Sequence, residues 1–261
     1  MDNLNVKQHF RPDEGPLIDQ IQDWIETVRD QYRPVLTWFL NPRQRYILTT
    51  IVNQDDQIKA TFNGGYEQAE MQRALIFPDY YQPQATDYEL QLLEIDYPRK
   101  FAELHHRQIM GSLLSSGIDR NVFGDILGND LDWQVVVDAK MVPYLQAQVT
   151  QVGKIHIGFL PLAMEQVIQP QSDWEETAAT VSSLRLDVIV AAAFNYSRNR
   201  AKLVIEHGLV RVNWQEVDRP DYPVAIFDQL SVRHAGRVQL QAVNGYNKKQ
   251  KIRILLGIIH A

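Results

Sequence analysis

The segment 181–232 constrains the fold of this chain most, because helix and strand signals alternate in it at short intervals. Apolar residues recur on one face of 181–194 and predict a helix. Ser197 is a favoured N-cap residue and Gly208 a favoured residue after a helix end, so a second helix is expected over 198–207. A small β-hairpin should follow, with strands at 209–212 and 228–232 and a turn at Asn213-Trp214-Gln215.

Charge is distributed unevenly along the sequence, and the overall acidity hides a basic C-terminal part. Residues 181–261 contain 12 Lys and Arg against 6 Asp and Glu, whereas residues 1–180 contain 14 against 26. Such asymmetry between two parts of one chain points to a polyanionic partner for the basic part. The acidic part should repel that partner and so help to orient docking.

The basic side chains of the C-terminal part are candidate phosphate contacts. Arg198 and Lys202 are four residues apart and share one helix face, and Arg guanidinium groups pair bidentately with phosphate. The N–H groups that follow Ser197 add a positive helix terminus. We therefore predict an RNA-binding surface formed by Arg185, Ser197, Arg198, Arg200, Lys202, Arg211, Arg233, Arg237, Lys248, Lys249, Lys251 and Arg253. Asp187 is expected to pair with a neighbouring arginine.

Upstream of this part, the pattern predicts an α+β protein with several domains. Residues 17–32 have helical apolar spacing, 45–52 suits a short strand or a helix, and these belong to a small mixed α/β domain over 1–75. Strands at 90–95, 133–137 and 154–160 with helices at 105–115 and 141–149 suggest a ferredoxin-like domain over 76–165. Residues 163–180 are interpreted as a connector to the domain over 181–261.

Composition excludes several classes of protein. The absence of cysteine excludes disulfides, thiolate zinc sites and cysteine catalysis. No apolar run approaches the roughly 20 residues of a membrane-spanning helix, and the first residues lack the features of a signal peptide. We expect a cytoplasmic protein, monomeric, without cofactor, metal or membrane partner.

The C-terminal residues resemble the S4 domain, the RNA-binding module of ribosomal protein S4. The matching stretches are Leu184-Arg185-Leu186-Asp187, Ser197-Arg198-Asn199-Arg200-Ala201, Gly208-Leu209-Val210-Arg211-Val212-Asn213 and Asp228-Gln229-Leu230-Ser231-Val232-Arg233. The chain departs at several positions from the pattern of the relatives that it resembles as a whole, among them Gln108, where those relatives have an acidic residue. His234 and Gln250 stand where those relatives have glycine, which permits tight turns.

The rest of the chain narrows the resemblance to the YlmH family. The residues that carry it are His9-Phe10-Arg11-Pro12-Asp13-Glu14, Phe39-Leu40-Asn41-Pro42-Arg43-Gln44, Phe62-Asn63-Gly64-Gly65-Tyr66 and the central His106-Arg107 with Gly111, Leu114, Gly117, Arg120 and Gly124-Asp125-Ile126. The resemblance implies an N-terminal domain, a central RRM-like domain and a C-terminal S4 domain. It further implies a non-catalytic factor of ribosome-associated quality control that binds 23S rRNA and tRNA on the large (50S) ribosomal subunit.

Two other classes of function stay open at this point. S4 domains often accompany pseudouridine synthases, and Arg185-Leu186-Asp187 superficially resembles a catalytic motif of such RNA-modifying enzymes. A glycine-rich cofactor loop of the methyltransferase type is missing, and His105-His106 lacks further ligands at metal-binding spacing. The third class is a protein-interaction factor in cell division, with the apolar helix at 17–28 as a docking element.

Overall fold

The computed structural model describes residues 10–129, 131–169 and 174–261, which divide by their contacts into two compact units, Met1–Pro170 and Gln171–Ala261. His9 of the quoted motifs, and Pro170 and Asp173 of the expected connector, lie outside the described residues. Short 3-10 turns occur at Pro12–Glu14, Ala85–Tyr88, Arg120–Val122, Ala139–Met141 and Met164–Gln166.

The first unit begins with two helices on a three-stranded antiparallel sheet. The elements are α1 (Gly15–Gln31), β1 (Val35–Leu40), α2 (Pro42–Val52), β2 (Ile58–Asn63) and β3 (Gln72–Pro78), with sheet order β1-β3-β2. Helix α1 buries Ile18, Ile21, Ile25 and Val28, the apolar stripe that its sequence predicts. Asn41 is the N-cap of helix α2: its side-chain oxygen accepts a hydrogen bond from the Gln44 N–H at 2.9 Å.

A second sheet of the same unit has the ferredoxin-like order. Its elements are β4 (Leu90–Asp96), α3 (His106–Ser115), β5 (Phe123–Gly128), β6 (Trp133–Asp138), α4 (Val142–Gln148), a two-residue hairpin of β7 (Gln151–Val152) and β8 (Ile155–His156), and β9 (Gly158–Leu162). The antiparallel order β5-β6-β4-β9 confirms the expected α+β architecture.

Two sequence predictions for this sheet are wrong. Strand β5 is missing from the predicted order of three strands and two helices, which leaves the residues between the first helix and residue 133 unassigned. The single strand predicted over 154–160 is instead divided between β8 and β9. Strand β3 runs across residue 75, so the first sheet extends to Pro78; the domain limits 1–75, 76–165 and 181–261 remain a proposal.

The second unit packs two helices on one face of a six-stranded antiparallel sheet. Its elements are β10 (Glu175–Val181), α5 (Leu186–Ala193), α6 (Arg198–Glu206), β11 (Val210–Val212), β12 (Gln215–Glu216), β13 (Gln229–Val232), β14 (Gly236–Tyr246) and β15 (Ile252–His260). The sheet order is β10-β15-β14-β13-β11-β12. Leu186, Ile189, Ala201 and Ile205 of the helices share a core with Val210, Leu230, Val238 and Leu256 of the strands.

The structure corrects the expected start of this unit. The sequence predicts a connector up to residue 180 and a first helix from residue 181, but 175–181 form strand β10, paired with β15 from Glu175–Ile258 to Val181–Ile252. Helix α5 begins only at Leu186. The partner strand lies about 70 residues further along the chain, so no local signal in the sequence reveals this pairing.

Candidate nucleic-acid interface

Helix α6 and its caps form as the sequence predicts. The Ser197 hydroxyl accepts a hydrogen bond from the Arg200 N–H at 3.2 Å, and Gly208 adopts φ +67° after the last turn. Ala201 and Ile205 are buried, which turns the basic residues of the helix outward. Ser197 therefore acts first as a structural cap, and its hydroxyl orients the exposed start of the helix.

The helix group consists of Arg185, Arg200 and Lys202. Each of these basic side chains contacts a neighbouring side chain on or beside the helices. The two guanidinium nitrogens of Arg185 donate to both carboxylate oxygens of Asp187 at 3.0 and 3.1 Å, and this bonding raises the pKa of Arg185. The expected pairing of Asp187 is thereby confirmed. The Arg200 guanidinium lies 3.8 Å from the centre of the Tyr196 ring, and Lys202 pairs with Glu206 at 3.5 Å.

A second set, the tip group, lies at one end of the sheet and consists of Arg198, Lys248, Lys249, Lys251 and Arg253. The three lysines are exposed in the turn between β14 and β15. Arg198 Nη2 donates to Ser182 Oγ at 2.7 Å, and Ser182 follows Val181, the partner of Ile252 beside Lys251. Residues from the helix and from the C-terminal cluster, about 50 positions apart in sequence, are thus brought to the same end of the fold.

A third set, the row group, lies at the other end of the sheet and consists of Arg211, Arg233 and Arg237. Arg211 pairs with Ser231, which pairs with Arg237, so these side chains share the face opposite the helices. Arg233 follows β13 in the turn before β14. Arg237 pairs with Ile259, seven residues from Ile252 along β15, so about 23 Å of strand separates the row group from the tip group.

The predicted residues therefore do not converge on a single small surface. The helix group lies beside the helices, the tip group at one end of the sheet, and the row group towards the other end. A surface of this extent suits contacts to a phosphate backbone, which need charge and position more than a closed pocket. The assignment of individual residues to RNA remains a prediction.

Two aromatic side chains belong to this surface but were not among the predicted residues. The Tyr196 ring supports Arg200, but the four-residue spacing rule for helices does not predict this contact, because Tyr196 precedes the N-cap of α6. The centre of the Trp174 ring lies 5.6 Å from the Arg237 guanidinium carbon. Nothing in the sequence near either residue indicates this contact. Both rings limit the motion of an arginine and so favour a defined phosphate-binding geometry.

The described part of the chain lacks the metal-binding clusters and membrane-spanning helices that would indicate other classes of protein. Across residues 10–129, 131–169 and 174–261, no group of three His, Asp or Glu side chains is placed to hold a metal ion. Within the same ranges, the helices are too short or too polar to cross a bilayer. Asp187, the acidic residue of the synthase-like motif, is largely buried and bonded to Arg185.

Two helices packed on an antiparallel sheet, with exposed arginines and lysines around them, define an RNA-binding protein of the S4 class. Family models agree: residues 184–230 match the S4 domain, residues 83–166 the "Putative RNA-binding domain in YlmH", and residues 14–81 "YlmH, N-terminal". The chain belongs to the YlmH family, since it is 40% identical over 250 residues to "Ribosome-associated protein quality control protein P2" of Bacillus subtilis (strain 168). That alignment covers 96% of this chain and 97% of the relative.

A solved structure supports the same placement. The "Cell division protein ylmH from Streptococcus pneumoniae" is 29% identical and superimposes with a TM-score of 0.56. The match covers 62% of this chain and 98% of that one. Family membership and fold, as expected from the quoted motifs, are thereby confirmed.

Proposed function

We propose that this chain is a non-catalytic RNA-binding factor that associates with the large (50S) ribosomal subunit in ribosome-associated quality control of stalled nascent chains. The observation that carries the proposal is the full-length similarity to a quality control protein combined with the exposed basic surface of the S4 unit. The binding partners are 23S rRNA and tRNA on the subunit, contacted mainly through their backbones.

The proposed mechanism is positional. The helix, tip and row groups fix the S4 unit against phosphates, while residues 1–96, with 8 basic and 16 acidic residues, are repelled by RNA. No bond of the RNA or of the nascent chain is made or broken by this protein. Its contribution is to hold RNA elements in place while other factors act.

Sedimentation of variants with purified 50S subunits tests the proposal. We expect Arg198→Ala and Arg185→Ala to weaken co-sedimentation without lowering the unfolding temperature by more than a few degrees. Arg29→Ala is the matched control, because Arg29 is an exposed arginine of the first unit that pairs with Asp55 and is not among the predicted residues.

The outcomes separate the competing functions. Wild-type levels of co-sedimentation by both arginine variants would show that the binding face is assigned wrongly. Migration of the wild-type protein away from 50S particles and with septal proteins would favour the interaction role in cell division. Altered nucleotides in RNA incubated with the pure protein would favour an RNA-modifying enzyme.

A further inference from the structure

The central domain has the sheet topology of many RNA-recognition domains, which bind bases on the sheet face that its helices leave open. In this chain the helices α3 and α4 pack on the face that carries Leu93, Val135, Val137 and Phe159. The opposite face, the outer face, carries Leu92 and Val136, and both residues have 0% exposed area. Something other than the domain's own helices therefore covers the outer face.

The cover comes from the N-terminal sheet with its loops and from residues 164–168, which follow β9. A Cβ atom on Gly124 would lie 2.8 Å from the Phe39 ring of β1, so the two sheets approach each other closely there. A Cβ atom on Gly65 would lie 2.8 Å from Met164 Sδ and 3.4 Å from Val136 Cγ1. Contacts of this closeness leave no room for a nucleobase over the middle of the sheet.

Polar contacts fix the cover at several points around the outer face. The Asp125 carboxylate accepts hydrogen bonds from the Tyr66 hydroxyl and the Glu70 N–H, both at 2.7 Å. Arg73 of β3 pairs with Asp138 at 3.2 Å. The side-chain amide of Gln134, on β6, donates to the Gln166 carbonyl oxygen at 3.0 Å and accepts from the Ile168 N–H at 2.7 Å.

The connection from β4 to α3, on the helix-bearing side of the central domain, combines exposed basic side chains with an exposed aromatic ring. Phe101 is 91% exposed, the largest exposure of any large apolar side chain among the described residues. Lys100 and Arg107 are exposed in the same segment, where His105 Nδ1 lies 3.9 Å from the Glu103 carboxylate, while the buried Leu104 fixes the segment to the core. Residues 98–108, here called the 98–108 segment, run into the first turn of α3.

Charge allows RNA to approach this side. Residues 97–157 carry six basic and six acidic side chains, whereas residues 1–96 carry 8 and 16, so the acidity of the first unit lies mostly in its N-terminal part. Lysine and arginine beside an exposed aromatic ring form the usual combination for holding a backbone and stacking an unpaired base.

We propose that the central domain contacts RNA through the 98–108 segment on its helix-bearing side, while its sheet face serves as the docking surface of the N-terminal sheet. The inference rests on the proposed function, since both take RNA as the ligand. It assigns a binding surface that the family match to an RNA-binding domain does not specify.

Binding of the full-length protein to unfractionated bacterial tRNA, measured by fluorescence anisotropy across a salt series, tests the proposal. Phe101→Ala should weaken binding about tenfold with an unchanged salt dependence, because it removes stacking and no charge. Lys100→Ala with Arg107→Ala should weaken binding and lower the slope of log affinity against log salt by about 1–2. Lys59→Ala, an exposed lysine of the N-terminal sheet, is the control and should bind like wild type.

Ultraviolet cross-linking to the same tRNA, followed by mass spectrometry, supplies a second readout. Cross-links at Phe101 are expected, and cross-links within β4 or β6 would overturn the proposal. Unchanged affinity of the Phe101 and Lys100/Arg107 variants, with Arg198→Ala still impaired, would also overturn it and would leave this segment for a protein partner. Failure of the wild-type protein to bind tRNA would instead count against the proposed function.

Discussion

The Asp125 carboxylate holds the central sheet to the N-terminal loop, and its removal should destabilise the first unit. It accepts hydrogen bonds from the Tyr66 hydroxyl at 2.7 Å, the Glu70 N–H at 2.7 Å and the Met71 N–H at 3.2 Å. Asp125→Ala removes all three and leaves two backbone donors without this acceptor. Three bonds at about 1 kcal/mol each give a loss of about 3 kcal/mol in the free energy of unfolding.

Two adjustments act on that value in opposite directions. Burial and the nearby Glu70 charge raise the pKa of Asp125, so the wild-type carboxylate itself carries a desolvation cost that alanine relieves. Each backbone N–H left unpaired away from water adds about 1 kcal/mol or more to the loss. Because the two effects oppose each other, we expect Asp125→Ala to lower the free energy of unfolding by about 3 kcal/mol. Tyr66→Phe removes a single hydrogen bond and should lower it by about 1 kcal/mol.

Urea unfolding followed by circular dichroism measures the loss, and amide hydrogen exchange at Glu70 and Met71 measures its cause. Both amides should exchange much faster in Asp125→Ala than in wild type, and at an unchanged rate in Tyr66→Phe. A change below about 0.5 kcal/mol with wild-type exchange at both amides would refute the reasoning. It would mean that packing alone holds the two sheets together.

Three smaller effects follow from the same structure. Gln250 has φ +58° in the turn before β15, so Gln250→Gly should raise the free energy of unfolding by about 0.5–1 kcal/mol, whereas Lys249→Gly should not; chemical denaturation distinguishes them. Ser197→Ala should cost about 1 kcal/mol by removing the cap of α6, measured in the same way. Since the folded-state pKa of Asp125 is raised from 3.8, folding favours its protonated form; this pH-dependent part of its contribution to stability is fully present below pH 3.8 and is lost as pH rises through the raised value. Asp125→Asn should remove that part of the pH dependence in a pH series of unfolding curves.

Local signals in the sequence predicted the elements that depend on local physics. Ser197 and Gly208 set the two ends of α6, and the apolar stripe of α1 forms as its spacing requires. His234 has φ +63°, and with Gln250 it shows that these two turns adopt the left-handed backbone without glycine. These features arise within a few residues, so a single sequence can reveal them.

Long-range pairing accounts for what the sequence did not predict. Strand β10 has few large apolar residues and is recognisable only through its partner β15. The basic residue types of the candidate interface were evident, but their division into tip and row groups depends on the register of β14 with β15. The contact of Arg237 with Trp174 and the covering of the central sheet depend on packing that no local pattern encodes.

The most direct test of the proposed function is sedimentation of the wild-type protein through sucrose gradients of cell lysate at increasing salt. We predict that the protein migrates with 50S particles that carry peptidyl-tRNA. Raising the salt should release it steeply, because contacts to phosphates displace counterions from the RNA. Migration with free protein at low salt, or with 50S particles in a manner insensitive to salt, would contradict an RNA-backbone contact by the basic groups of the S4 unit.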